Sequence, residues 1–167
     1  MSINSAPVAL TFYKQFVVYR TQPSTTRPGK TDKITCHPQT GRNHDAHDPA
    51  IWLDFETAQA TATAWGAPYG VGFVFTDADP FWFIDIDGAL VDGQWSPLAQ
   101  SLCQLFNGAA IEVSQSGTGL HIFGTGVVPP HGCRNQTYRL EFYHTGRFAA
   151  LTGANTVGNA AADMSHP

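Results

Sequence analysis

Apolar and polar positions alternate in short runs along this chain, and the runs predict strands more often than helices. Phe16-Val-Val-Tyr-Arg20 opens as a strand. Residues 21–48 are rich in Thr, Pro, Gly, Lys and His and keep no period, which predicts a short hairpin or a functional loop. Asp48-Pro49 has the form of a helix start, continued by the Ala-rich run Phe55 to Trp65. Val71-Gly-Phe-Val-Phe75 and Phe81-Trp-Phe-Ile-Asp-Ile86 follow as strands, and the short polar link 76–80 predicts an antiparallel hairpin between them.

Ser96-Pro97 supplies an N-cap and a first-turn proline to a second helix, with Leu98, Leu102, Leu105 and Phe106 on its apolar face. Four further strands are expected at 110–114, 119–123, 138–143 and 148–152. The Ala-, Asn- and Gly-rich residues 154–167 read as a flexible tail or the start of a linker after one domain, 1–153. This order predicts an α+β fold, a mixed sheet with helices on one side, in place of a regular βαβ repeat.

Composition changes this picture little. A hydrophobic fraction of 43%, with 11 Phe and 4 Trp, supports a packed globule. No apolar run approaches the roughly 20 residues that span a bilayer, so no membrane partner is expected. Three cysteines in a chain this long predict reduced thiols and a cytoplasmic setting. A net charge of −4 gives no global attraction to a polyanion. Nucleic-acid binding would have to depend on a local basic patch, a bound metal or a partner domain.

Three segments carry candidate chemistry. In Phe81–Gly88 a strand period of two puts Asp85 and Asp87 on one face and Ile84 and Ile86 on the other. Two like charges beside an apolar wall repel and resist desolvation, and a divalent cation relieves both; solvated acids at an Asp-Gly turn are the alternative. In Ser114-Gln-Ser-Gly-Thr-Gly-Leu-His121, Ser116 and Gly117 can present donors to an anion and His121 can donate to phosphate; a hairpin turn with a core-edge histidine is the alternative. In the segment 138–147, alternation places Arg139, Glu141 and Tyr143 together and Arg147 after a His-Thr-Gly turn; exposed strand charges are the alternative.

Combined, these residues describe phosphoryl transfer. Asp85, Asp87 and Glu141 hold one or two ions, Ser116, Gly117 and His121 hold phosphates, and Arg147 neutralises developing charge. Cys36, His37, His44, His47, His131 and Cys133 match no compact zinc spacing and read as loop residues.

Ile84-Asp-Ile-Asp87, Ser116-Gly-Thr-Gly-Leu-His121, and Leu140-Glu141 followed by Arg147-Phe-Ala-Ala-Leu-Thr-Gly153 resemble the archaeo-eukaryotic primase superfamily. The likeness is to the primase-polymerase domain of phage and plasmid replication proteins. Phe16-Val-Val-Tyr19, Lys33, His37-Pro-Gln-Thr-Gly41, Trp52 and Gly70–Phe75 extend it over about residues 12 to 153. The resemblance implies an RRM-like antiparallel sheet plus a smaller N-terminal α/β unit. It implies a two-ion Mg2+ or Mn2+ site on Asp85, Asp87 and Glu141, NTP or dNTP as substrate, and His121 on the nucleotide phosphates. It further implies a single-stranded or primed DNA template, and helical and helicase regions outside this chain. Thr118 stands where relatives often carry Lys, which implies a weaker grip on nucleotide and elongation favoured over initiation. The same acids would also suit a metal-dependent nuclease or nucleotide hydrolase, and the fold would suit a non-catalytic replisome module.

Overall fold

The computed structural model describes residues 6–165. The chain folds as a mixed α+β structure in which two antiparallel sheets carry the two α-helices. The first sheet has the order β11-β3-β1-β2, from β1 (Phe16–Pro23), β2 (Thr31–Cys36), β3 (Tyr69–Phe75) and β11 (Arg147–Leu151). The second has the order β7-β8-β4-β10-β9, from β4 (Phe81–Ile86), β7 (Ala110–Val113), β8 (Leu120–Thr125), β9 (Arg134–Asn135) and β10 (Leu140–Tyr143). A small hairpin, β5 (Leu90–Val91) with β6 (Gln94–Trp95), precedes the second helix.

The hairpin expected in 21–48 is present as β1–β2, but the one expected between β3 and β4 is not. Both neighbours of β3 are already β1 and β11, so β4 enters the second sheet between β8 and β10. The link turns on Asp79, whose carboxylate accepts from the Thr76 amide at 2.8 Å, the Phe81 amide at 2.9 Å and the Gln15 side chain at 2.8 Å. The single mixed sheet of the sequence reading is thus two sheets, joined by Phe75 and Phe83, stacked at 4.7 Å.

The helix start at Asp48 also divides. Residues Pro49–Ile51 form one 3-10 turn, then Leu53 exchanges both backbone hydrogen bonds with Phe16. The helix α1 (Phe55–Trp65) begins afresh with Asp54 as N-cap, accepting from the Thr57 amide at 2.8 Å. The second helix, α2 (Pro97–Leu105), starts at its expected Ser96 cap. Its inward face carries Ala99, Leu102, Cys103 and Phe106, whereas Leu105 is half exposed.

Each face of the second sheet has its own core. Trp82, Ile84, Ile86, Leu120 and Ile122 pack with Ala99 of α2. Phe81, Phe83, Phe123 and Tyr143 pack with Phe73, Phe75, Ala149 and Leu151 of the first sheet. Glycines within the strands have a specific use. A side chain at Gly70 would collide with the Tyr19 ring, at Gly72 with Phe148, and at Gly124 with Trp82. Each of these residues makes room for a ring lying across its strand.

Residues 154–165 depart from the expectation of a loose end. The Val113 amide donates to the Ala154 carbonyl, Ile111 and Val157 exchange backbone bonds, and the Thr125 amide donates to the Ala162 carbonyl. Ala160 is buried in the main core. This segment satisfies edge groups of β7 and β8 that would otherwise stay open. Cys36, Cys103 and Cys133 are free thiols, and no described helix is long and apolar enough to cross a membrane.

Candidate functional site

Register builds the site. Glu112 of β7 pairs with His121 of β8, His121 with Asp85 of β4, Asp85 with Glu141 of β10, and Glu141 with Arg134 of β9. Directly opposed residues share a face, so five charged or titratable side chains form one row across the whole sheet. The row lies on the face turned toward the first sheet, one step beyond the rings of Phe83, Phe123 and Tyr143.

At one end Glu112 is fully buried. Its carboxylate lies 2.9 Å from His121 Nδ1, and it accepts from the Thr152 and Gly153 amides at 3.2 and 2.9 Å. His121 is 2% exposed, and its Nε2 lies 3.7 Å from Asp85 Oδ1. Asp85 Oδ1 is buried and has no hydrogen-bond partner. Burial raises the Asp85 carboxyl above its ordinary range; the His121 ring opposes this, Asp87 and Glu141 add to it, and the Lys33 charge offsets it from the first sheet. The Tyr19 phenol is pushed up to about 12, by burial first and by the Glu112 charge second.

At the other end Glu141 is engaged. Arg134 Nε lies 2.9 Å from its Oε1, and the Tyr143 hydroxyl donates to its Oε2 at 3.0 Å. Arg147, exposed at the start of β11, lies over the Tyr143 ring at 4.9 Å. Asp87 is exposed just past the end of β4, where its amide donates to the Arg139 carbonyl. Gly88 follows with φ +60, and a side chain there would meet the Arg139 guanidinium at 2.8 Å.

The sequence-derived acids Asp85 and Glu141 stand side by side, with Asp87 two residues along. Among the described residues, no three His, Cys, Asp or Glu side chains already converge on a metal-sized centre. Ser116 and Gly117 form the tight turn between β7 and β8. Gly117 has φ +75, and the Ser116 hydroxyl bridges those of Ser114 and Thr118 at 3.1 Å. The Leu90 amide donates to the Thr118 carbonyl, which sets this turn beside the chain that leaves Gly88.

Arg139 does not share the face of Glu141 by alternation. It precedes β10 in a left-handed conformation, φ +51, and the pleat begins only at Leu140. The Cys and His residues considered for zinc lie apart: the His44 ring pairs with Asp48 at 2.6 Å beside His37, while His131 stacks on Phe142 of the second sheet.

Glu112 and Arg134 escaped the sequence reading, which set Tyr143 beside Glu141 but gave it no role. The one available signal for Glu112 was a lone acid in the apolar run Ala110–Val113; its partner depends on sheet pairing. Charge distribution was a second missed signal. Six of the 9 Lys and Arg residues fall between Lys14 and Arg42, against one of the 13 acids. Beyond Arg20, β1 has no β3 partner, and β1 and β2 continue as a two-stranded arm. The arm carries Arg27, paired with Asp32 at 2.6 Å, and the exposed Lys30 and Lys33.

No protein-family model matches the chain. It is 34% identical to a DNA primase-polymerase of Nitratiruptor phage NrS-1, over 154 aligned positions covering 87% of this chain and 20% of that protein. The chain thus spans about one fifth of its relative's length. With Asp85, His121 and Glu141 set in one row and Asp87 and the Gly117 turn beside it, the chain belongs to the family of that phage primase-polymerase.

Proposed function

We propose that the charged row is the centre of a template-directed nucleotidyltransferase, which joins nucleotides from NTP or dNTP to a 3′-hydroxyl on a DNA template in phage or plasmid replication. The observation that carries this reading is Asp85, a half-buried carboxylate with one buried and unpartnered oxygen, set between His121 and Glu141. An orphaned, desolvated carboxylate is what a cation satisfies. Asp85, Asp87 and Glu141 offer only hard oxygen donors, which suits Mg2+ or Mn2+. Glu141 gives both oxygens to Arg134 and Tyr143 in this arrangement, so it serves as a ligand by releasing one of them. Ions held there would supply Lewis-acid activation of the attacking hydroxyl and neutralisation of the triphosphate charge.

The chain's own groups do the rest of the work in this reading. His121 Nε2 is the ring atom nearest Asp85 and is the donor for a phosphate oxygen. The hydroxyls of Ser116 and Thr118 and the Gly117 turn lie beside the Asp87 end of β4 and hold the polyphosphate. Arg147 is braced on the Tyr143 ring and adds positive charge near Glu141. The basic β1–β2 arm takes the template backbone, and the pull of Lys33 on Asp85 supports an arm that faces the row. The two antiparallel sheets are consistent with an RRM-like sheet and a smaller N-terminal α/β unit.

The test is incubation of the chain with a primed single-stranded template, dNTPs and Mg2+ or Mn2+. Metal-dependent primer elongation is the expected product. Primer shortening would indicate a nuclease, and an unaltered primer without metal-dependent nucleotide binding would indicate a non-catalytic module.

A further inference from the structure

The geometry points to Glu112 as the positioning residue for His121, a role that rests on the reading of His121 as a phosphate contact. Glu112 has no exposed surface, and no Lys or Arg among the described residues pairs with it. A carboxylate in that setting is costly to bury, and packing alone would be served as well by an uncharged residue of the same size. Its two oxygens are divided with purpose. Oε1 faces His121 Nδ1 at 2.9 Å, and Oε2 takes the Gly153 amide at 2.9 Å, with the Thr152 amide shared between them at 3.2 Å.

An ionised carboxylate can only accept, so Nδ1 must carry the proton in this pair. That puts Nε2 on the side of Asp85, where it donates to a phosphate oxygen when the ring carries both protons, and it stops the ring from turning about its bonds. Thr152 and Gly153 directly follow β11 of the first sheet, whereas His121 belongs to the second. One side chain therefore fixes both the ring and the first sheet's approach to it.

Glu112→Gln separates positioning from packing. The amide oxygen still accepts from Thr152 and Gly153, but the amide NH2 now faces Nδ1 and requires it to be bare. The first measurement needs no variant: ring-nitrogen NMR of the 167-residue chain, with the His121 signals identified by their loss in His121→Ala. Protonated Nδ1 in the parent chain is expected, and a parent ring with bare Nδ1 would overturn the proposal. In Glu112→Gln the Nδ1 proton should be lost or its signal broadened; an unchanged ring would overturn it as well.

The second measurement is a double-mutant cycle on primer extension. Glu112→Gln should lower kcat/KM by about ten- to a hundredfold, as expected when a supporting hydrogen bond is removed from an active group. In a His121→Ala background it should cost nothing further, because its effect passes through the ring. Losses that multiply would show a general effect on folding and contradict the proposal. If the parent chain extends no primer, the functional reading falls, and the ring-nitrogen measurement still decides the role of Glu112.

Discussion

Ala110, Phe123, Phe83 and Tyr143 form one register row across β7, β8, β4 and β10; two residues further along, Glu112, His121, Asp85 and Glu141 form the next. The rows are about 7 Å apart and share one face of one sheet. Burial distinguishes them only in part: Glu112 and His121 are as buried as Phe123, whereas the Asp85 and Glu141 side chains are partly exposed and Phe83 and Tyr143 are not. Pairing distinguishes them throughout. The first row meets Phe73, Phe75 and Leu151 of the other sheet and fills its space with rings. The second sets three carboxylates against one imidazole and one arginine, and leaves an oxygen of Asp85 with nothing to accept from. One row supplies stability, and the other stores an unmet demand for positive charge.

Substitutions should break this comparison in opposite directions. Phe83→Ala removes a buried ring stacked on Phe75 and should cost about 3–5 kcal/mol in urea unfolding. Asp85→Asn should lower nucleotide incorporation at least about a hundredfold yet raise Tm by about 2–4 °C, because it removes a desolvated charge. The pH dependence has the same origin. With its carboxyl raised in the folded chain, Asp85 contributes stability that is present below the unfolded carboxyl range and is lost as pH rises through the folded value. Calorimetric scans across that window should show the loss in the parent chain and a flatter profile in Asp85→Asn. Mn2+ should restore Tm at neutral pH in the parent and leave the variant unmoved.

Smaller effects sharpen the picture. Glu141→Gln should reduce metal-dependent incorporation sharply with little change in Tm, since its pair with Arg134 is partly solvated. Full activity at ordinary Mg2+ would assign the third acid elsewhere. His121→Ala should weaken dNTP affinity by about ten- to a hundredfold and template affinity much less, read by nucleotide and DNA titrations. The smallest change is expected in the arm: Lys30→Gln and Lys33→Gln should each flatten the salt dependence of template binding by about one unit of slope.

The parts of the site that the sequence disclosed are local ones. Asp85 lies at the end of β4 with Asp87 just past it, and 116–121 is a turn running into a strand, so short-range pattern and residue type suffice to find them. Long-range pairing was out of reach. The β3–β4 hairpin failed because the polar link that permits a turn back equally permits a crossing to a second sheet, and Asp79 takes the second option. Glu112 looked like any acid in a short strand until β7 met β8. Arg139 was misplaced because strict alternation was extended one residue past the start of the pleat. Residues 154–165 have the composition of a linker and are held mainly through their backbone, a bond type that side-chain identity does not advertise.

Primer extension by the parent chain beside Asp85→Asn, on a primed single-stranded template with dNTPs and either Mg2+ or Mn2+, tests the central claim most directly. Template-directed, metal-dependent elongation by the parent, reduced at least about a hundredfold in a variant that melts no lower, is the predicted result. Equal elongation by both proteins would contradict the assignment of the row as the catalytic centre.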